Sequence, residues 1–329
     1  MNIEIYFDVA KHKYTDNLLN TYTSVTTVIG NYENKFDEKQ WDIARACERI
    51  GKNPKHPKYP KYKNKSAKQI IAGWKREGDK GRNIGNETHD YLEDSVKFSS
   101  NFNTPTVFKN NRLFTVKDLI QNPNLNLGIL NLDSFVKTGV KDKYPLVYKT
   151  LQSFVNNGWK IFSEIAIFNY DWLVAGLIDI LLIKDDKFII LDWKTNKAPI
   201  KFEAGYYEKD NNGKLGAYLL NDEVLKPPLS KLASSTGIKY SLQVSTYSYL
   251  VEQLGLTNVA LILCHIRHDF YKEGDSLLES NPELLGKQVV DIMKLDYYKD
   301  DVSNMLKHFT NSKLIKNKRQ TNLFEKAII

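Results

Sequence analysis

Glu164, Asp179 and Asp192 each interrupt an otherwise apolar run, at 161–168, 173–182 and 188–195, and Lys194 follows the last acid by two residues. Each run is rich in β-branched and large apolar residues and is bounded by turn formers, so each predicts a buried strand. A carboxylate in such a strand is costly unless a cation or hydrogen-bond donors compensate it. Side chains at i and i+2 share one face of a strand, so Asp192 and Lys194 point together while Trp193 packs on the other side. Carboxylates converging at a sheet edge suit a hard divalent cation such as Mg²⁺ or Mn²⁺. That cation activates water and stabilises charge on a phosphoryl oxygen, and a nearby lysine adds positive charge at the transition state. The plainer alternative is a set of salt bridges, for which an Asp192–Lys194 pair has poor strand geometry.

Two further pairs stand at helical spacing. His89 and Glu93 share a helix face at i, i+4, and an imidazole is a reasonable ligand for Mn²⁺ and tolerable for Mg²⁺. Gln243 and Tyr247 repeat the spacing downstream, where polar residues on an amphipathic helix are unremarkable alone. A different chemistry lies between residues 52 and 82, which hold 11 Lys and Arg against Glu77 and Asp79. The chain carries +8 overall, and this window alone carries +9. Lys61, Lys63, Lys65 and Lys68 alternate there with His56, Tyr59, Tyr62 and Trp74, a mixture of cations and aromatic rings that holds single-stranded nucleic acid without reading sequence. A solvated lysine-rich loop is the competing interpretation.

The elements that must position these residues follow from periodicity and breakers. A hairpin is expected at 3–7 and 12–14, then a helix over 37–50. Pro54, Pro57 and Pro60 forbid a continuous helix through the basic stretch. Ser66 caps a helix to about 77, and a second helix spans about 83–96. Residues 99–130 are Asn-rich loop with short elements, and a helix over 145–156 leads into the three strands. An excursion at about 197–237, with Asp210-Asn211-Asn212-Gly213 and Pro227-Pro228, reads as an insertion. A helix over 240–254 and a strand over 259–266 return to the sheet, and the remainder reads as mainly helical with a basic tail (Lys313, Lys316, Lys318, Arg319). The result is an α/β chain with a mixed sheet covered by helices. It divides into a helical N-terminal region (1–140), a core (141–270) and a helical C-terminal extension (271–329), all in one compact unit.

Composition narrows the setting. No run approaches the ~18 apolar residues of a membrane span, and the first residues lack the pattern of a signal or transit peptide. Cys47 and Cys264 provide no disulfide framework and cannot build a four-cysteine iron–sulfur site. A cytoplasmic, reducing compartment is expected, and the abundance of Asn, Lys, Tyr and Ile is compatible with an AT-rich phage genome.

Gly85-x-x-x-His89, Glu164, Gly176-x-x-Asp179, Asp192-x-Lys194-Thr195 and Gln243-x-x-x-Tyr247 together resemble the RecB-type branch of the PD-(D/E)xK nuclease superfamily. Ser24-Val25-Thr26-Thr27-Val28-Ile29, then Trp41, then His89-x-x-x-Glu93, looks more narrowly like the phage and mitochondrial genome maintenance exonucleases of that branch. The resemblance covers roughly residues 12–268. It implies a restriction-endonuclease-like core and metal binding by His89, Asp179, Asp192 and the carbonyl of Trp193, with Lys194 catalytic. It also implies that Glu164 serves a second metal or orients water, and that Gln243 and Tyr247 support the site and touch the DNA backbone. The implied activity is Mg²⁺- or Mn²⁺-dependent exonuclease action on single-stranded or flap DNA in replication, repair or recombination. An endonuclease of the same fold and an inactive DNA-binding accessory protein are the alternatives. The long excursion after Lys194 departs from the family pattern, and the missing cysteines disfavour the iron–sulfur subgroup.

Overall fold

The computed structural model describes residues 3–34, 40–101, 111–122, 127–196, 198–209, 215–268 and 288–327. In chain order the elements are β1 (Ile5–Asp8), β2 (Lys13–Asp16), β3 (Thr21–Ser24), α1 (Val25–Gly30), α2 (Gln40–Ile50), α3 (Tyr59–Tyr62) and α4 (Ala67–Ser99). Next come α5 (Val116–Gln121), α6 (Leu132–Lys137), α7 (Val140–Lys143), α8 (Pro145–Asn156), β4 (Lys160–Asn169), β5 (Val174–Lys184) and β6 (Lys187–Lys194). The chain closes with β7 (Gly205–Lys209), β8 (Leu215–Leu220), α9 (Thr236–Glu252), β9 (Thr257–His268), β10 (Gln288–Leu295) and α10 (Lys299–Ala327).

Eight strands form one mixed sheet in the order β1-β2-β3-β5-β6-β9-β10, with β4 on the other edge of β5. β5 pairs antiparallel with β4 and β6, while β3 joins β5 and β9 joins β6 in parallel. Strand β6 shows why both faces must be covered. Phe188 and Ile190 enter one buried cluster, and Ile189, Leu191 and Trp193 enter the other, the period of two that a strand imposes. The first cluster is closed by α1, α9 and α10, through residues such as Val28, Leu242 and Leu306. The second is closed by α4, α6, α7 and α8, through Leu92, Phe135, Val140 and Leu151. Helices on both faces of a mixed sheet make the chain α/β. No helix among the described residues is long and apolar enough to cross a membrane.

Three sequence expectations change. The helices expected at 66–77 and 83–96 are one helix, α4. Gly78 and Gly81 each cost a helix only about 1 kcal/mol, and exposed i, i+3 pairs Lys80–Glu77 and Arg82–Asp79 span the weak stretch. The flanks are also not simply helical: the expected N-terminal hairpin forms as β1 and β2 and, with β3 and with β10 from the C-terminal extension, joins the central sheet. In β10, which carries the β-branched Val289, Val290 and Ile292, every residue pairs with β9 over Leu261–His268, which outweighs the helical reading. The excursion after Lys194 folds as a hairpin, β7–β8, whose expected turn at 210–213 lies outside the described residues, as does the start of the helix expected from residue 37.

The basic window has its own support. Ala44 of α2 and Ala67 and Ile70 of α4 form a small separate cluster, with Tyr62 and Trp74 packed against it. The N-terminal half of α4 and the two short helices before it therefore form an arm. α4 itself starts on a capping box between Ser66 and Gln69, which satisfies backbone N–H groups that the first turn leaves open.

Candidate metal centre

β5 and β6 run as partners from Lys184↔Lys187 to Ile180↔Leu191 and then part. Asp179 and Asp192 are the next residues, facing each other across the opening. The backbone N–H of Trp193 donates instead to Asp179 Oδ2 at 2.9 Å, so a carboxylate replaces the next rung of the ladder. On the other side of β5, Ser163 pairs with Ile180 and Ile165 with Ile178, but Glu164 between them is unpaired. Its φ is +54°, a left-handed conformation unusual inside a strand and worth about 1–3 kcal/mol of strain. Strain of that kind tends to mark functional positions. Here it coincides with the carboxylate.

α4 delivers His89 to the same point. Its Nε2 lies 3.1 Å from Asp179 Oδ2 and 3.8 Å from Glu164 Oε1. On the far side of the ring, Nδ1 lies 3.7 Å from Glu93 Oε2, and Glu93 is in turn paired with Lys97. Gly85, one turn earlier, permits the approach, since a Cβ there would stand 2.8 Å from Thr195 Oγ1. α9 closes the opposite side. Gln243 Nε2 donates to Asp192 Oδ1 at 3.3 Å and to the Tyr247 hydroxyl at 3.4 Å. Tyr247 packs on β5 where Gly176 leaves room, because a Cβ at 176 would stand 2.6 Å from its ring. Both motif glycines are thus sites of close helix–strand approach.

His89, Glu164 and Asp179 bring ligand atoms within 4.8 Å of one another. Asp192 does not join that trio at the same distance and has partners of its own. Lys194 Nζ lies 2.5 Å from Asp192 Oδ2, so the ion pair that strand geometry disfavoured does form; the strand end leaves the lysine free to fold back. No hydrogen bond of regular geometry reaches that same oxygen among the described residues. The indole of Trp193 lies in the second cluster, as the strand period requires.

The charges are under strain. Burial, with the charges of Asp179 and Glu93, pushes Glu164 up to about 8. Burial also drives Asp192 upward, against the pull of Lys194 and with the push of Asp179. Asp179 moves the other way: burial opposes its charge, but His89 and Lys194 outweigh it. Burial disfavours the His89 cation too, yet its bonds to Asp179 and Glu93 raise it to about 11. Three buried carboxylates sharing one opening is a like-charge cluster, which a hard divalent cation relieves. Oxygen donors with one imidazole are a donor set that several divalent cations accept.

The expected DNA contacts lie elsewhere. Lys63, Lys65 and Lys68 are exposed, Lys61 is half-buried, and Trp74 is committed to the small core of the arm. The exposed aromatic of the arm is Trp41, at 52%. From Lys68 to His89 the helix rises about 30 Å, so these cations stand well away from the carboxylates. Sequence reasoning missed Tyr240, whose ring lies 4.9 Å from Lys194 Nζ; its place at i−3 from Gln243 on the same helix was the available signal. No family model, no curated protein and no solved structure matches this chain.

Proposed function

We propose that this chain is a Mg²⁺- or Mn²⁺-dependent deoxyribonuclease of the RecB-like PD-(D/E)xK type, with a restriction-endonuclease-like core, acting as an exonuclease on single-stranded or flap DNA. One observation carries this reading: His89 from α4, Glu164, Asp179, Asp192 and Lys194 from three strands, and Gln243 from α9 converge where β5 and β6 part. His89, Glu164 and Asp179 would hold the cation, with Asp192 and the Trp193 carbonyl on its β6 side. The cation supplies Lewis acidity and lowers the pKa of water. Trp193 N–H and His89 orient Asp179, Gln243 orients Asp192, and Glu93 fixes the imidazole from behind. Lys194 places a buried positive charge beside the scissile phosphate, where charge builds up in the transition state. The exposed lysines of the arm hold the strand through its phosphates.

A second reading is favoured by the Asp192–Lys194 and Asp179–His89 contacts themselves: as closed ion pairs they would belong to an inactive DNA-binding accessory protein. End-labelled linear and circular single-stranded DNA, incubated with Mg²⁺, Mn²⁺ or chelator, separates the readings. The expected result is metal-dependent loss of the linear strand with the circle intact. A cut circle makes the protein an endonuclease. Retention of uncut DNA by both wild type and Asp179→Ala leaves the accessory reading.

A further inference from the structure

Immediately after Lys194 the chain leaves the sheet, and three side chains outside the carboxylate cluster hold that exit. Lys194 pairs in register with His265 of β9. Two residues on, the Asn196 carbonyl stands 2.9 Å from His265 Nε2. A carbonyl only accepts, so His265 donates from Nε2; burial holds this 1% exposed imidazole below its ordinary value. Asn196 Oδ1 accepts from the Tyr240 hydroxyl at 2.7 Å. The Tyr240 ring then faces the Lys194 ammonium at 4.9 Å. Tyr240, Gln243 and Tyr247 stand at i, i+3 and i+7 on α9, one stripe that meets Lys194, Asp192 and Gly176 in turn.

A lysine side chain is long and flexible, and its ammonium is a point charge without preferred direction. Here it has a carboxylate on one side and an aromatic face on the other, and a desolvated cation is attracted to such a face. The ring is held through its hydroxyl by the Asn196 side chain, and His265 holds the Asn196 backbone.

We propose that Tyr240 is a positioning residue for Lys194, its ring clamped by Asn196 and, through Asn196, by His265. The clamp fixes where the ammonium stands relative to the reacting phosphate. This inference rests on the nuclease reading of the same centre. It differs in naming a part of the molecule that touches neither cation nor DNA.

Steady-state cleavage of linear single-stranded DNA by wild type, Tyr240→Phe, Tyr240→Leu, Asn196→Ala and the Tyr240→Phe/Asn196→Ala double variant tests it. Tyr240→Leu should lower kcat about tenfold with KM for DNA within about twofold. Tyr240→Phe, which keeps the ring but frees it from Asn196, should recover only part of that loss, and Asn196→Ala should match it. The double variant should be no slower than the slower single, since both break one link. Unchanged kcat in Tyr240→Leu, or equal losses in Phe and Leu, overturns the proposal. A second readout needs no activity: acylation of Lys194 by a limiting amine-reactive ester, followed by mass spectrometry on folded protein. Labelling should accelerate in Tyr240→Leu and by a smaller factor in Tyr240→Phe. If wild-type protein cuts no DNA, the nuclease reading fails alone, and equal Lys194 labelling in wild type and Tyr240→Leu overturns this one.

Discussion

Asp16, at the end of β2, and Asp192, at the end of β6, are almost equally buried, at 2% and 1% exposure, yet their surroundings differ. Asp16 Oδ1 accepts from the backbone N–H groups of Leu18 and Asn20, and Oδ2 accepts from the Asn20 amide and the Tyr22 hydroxyl. Burial would raise its pKa, but those bonds hold it below the usual carboxylate range. All four donors come from the next six residues, so the site is a locked turn. At the centre, Glu164, Asp179 and Asp192 come from three strands and share one imidazole, one ammonium, one side-chain amide and one backbone N–H. A carboxylate with a full set of donors stabilises the fold. Carboxylates gathered with too few donors oppose it, and they make chemical sense around a cation.

The comparison breaks most sharply on activity. Asp179→Ala should lower metal-dependent cleavage about 10³-fold, while Asp16→Asn leaves kcat within about twofold; a quantitative nuclease assay on both variants decides it. On stability the order reverses. Asp16→Ala strands four donors and should cost about 3 kcal/mol in a urea titration, with cation binding intact. Mg²⁺ or Mn²⁺ near 100 times its Kd should stabilise wild type and Asp16→Asn by about 2.7 kcal/mol, and Asp179→Ala by almost nothing. Equal cation effects in all three proteins would erase the distinction.

pH sharpens the contrast further. Asp16 has a folded pKa below its unfolded value, so its contribution is present above about pH 4 and is lost as pH falls through the folded pKa. Glu164, raised to about 8, behaves oppositely: its contribution is present below about pH 4.5 and is lost as pH rises through 8. His89, raised to about 11, adds stability that is full below about pH 6.5 and is lost as pH rises through 11. Metal-free protein should therefore lose stability at this centre between about pH 4.5 and 11, and Glu164→Gln should flatten the lower part of that profile. Cation affinity should climb over the same range, because binding displaces protons from Glu164 and His89; calorimetry in buffers of different ionisation enthalpy measures that release. The smallest effect lies outside both regions. Gly78→Ala and Gly81→Ala meet open space and should each stabilise α4 by about 0.5–1 kcal/mol.

Much of the centre was legible because it is carried by local periods. Apolar, β-branched runs bounded by turn formers mark β4, β5 and β6, whose observed limits differ from those runs by at most two residues. The strand period of two puts Asp192 and Lys194 together and Trp193 opposite. The helix over 145–156 starts where Pro145 stands at its first turn. Asp16 carried no comparable mark, because its meaning lies in donors rather than in an interrupted apolar run. α4 was misread as two helices because glycine weakens a helix without ending it.

Backbone repeat and side-chain chemistry alone dictate which residues share a strand or helix face. Which of those faces meet depends on the packed fold. It brought His89 to Glu164 and Asp179 while Lys194 and Gln243 engaged Asp192. It also opened β5 from β6 at the two aspartates and set Tyr240, Asn196 and His265 behind the lysine. Register between strands and the seating of a helix across a sheet depend on how the whole core packs, and no local repeat encodes them.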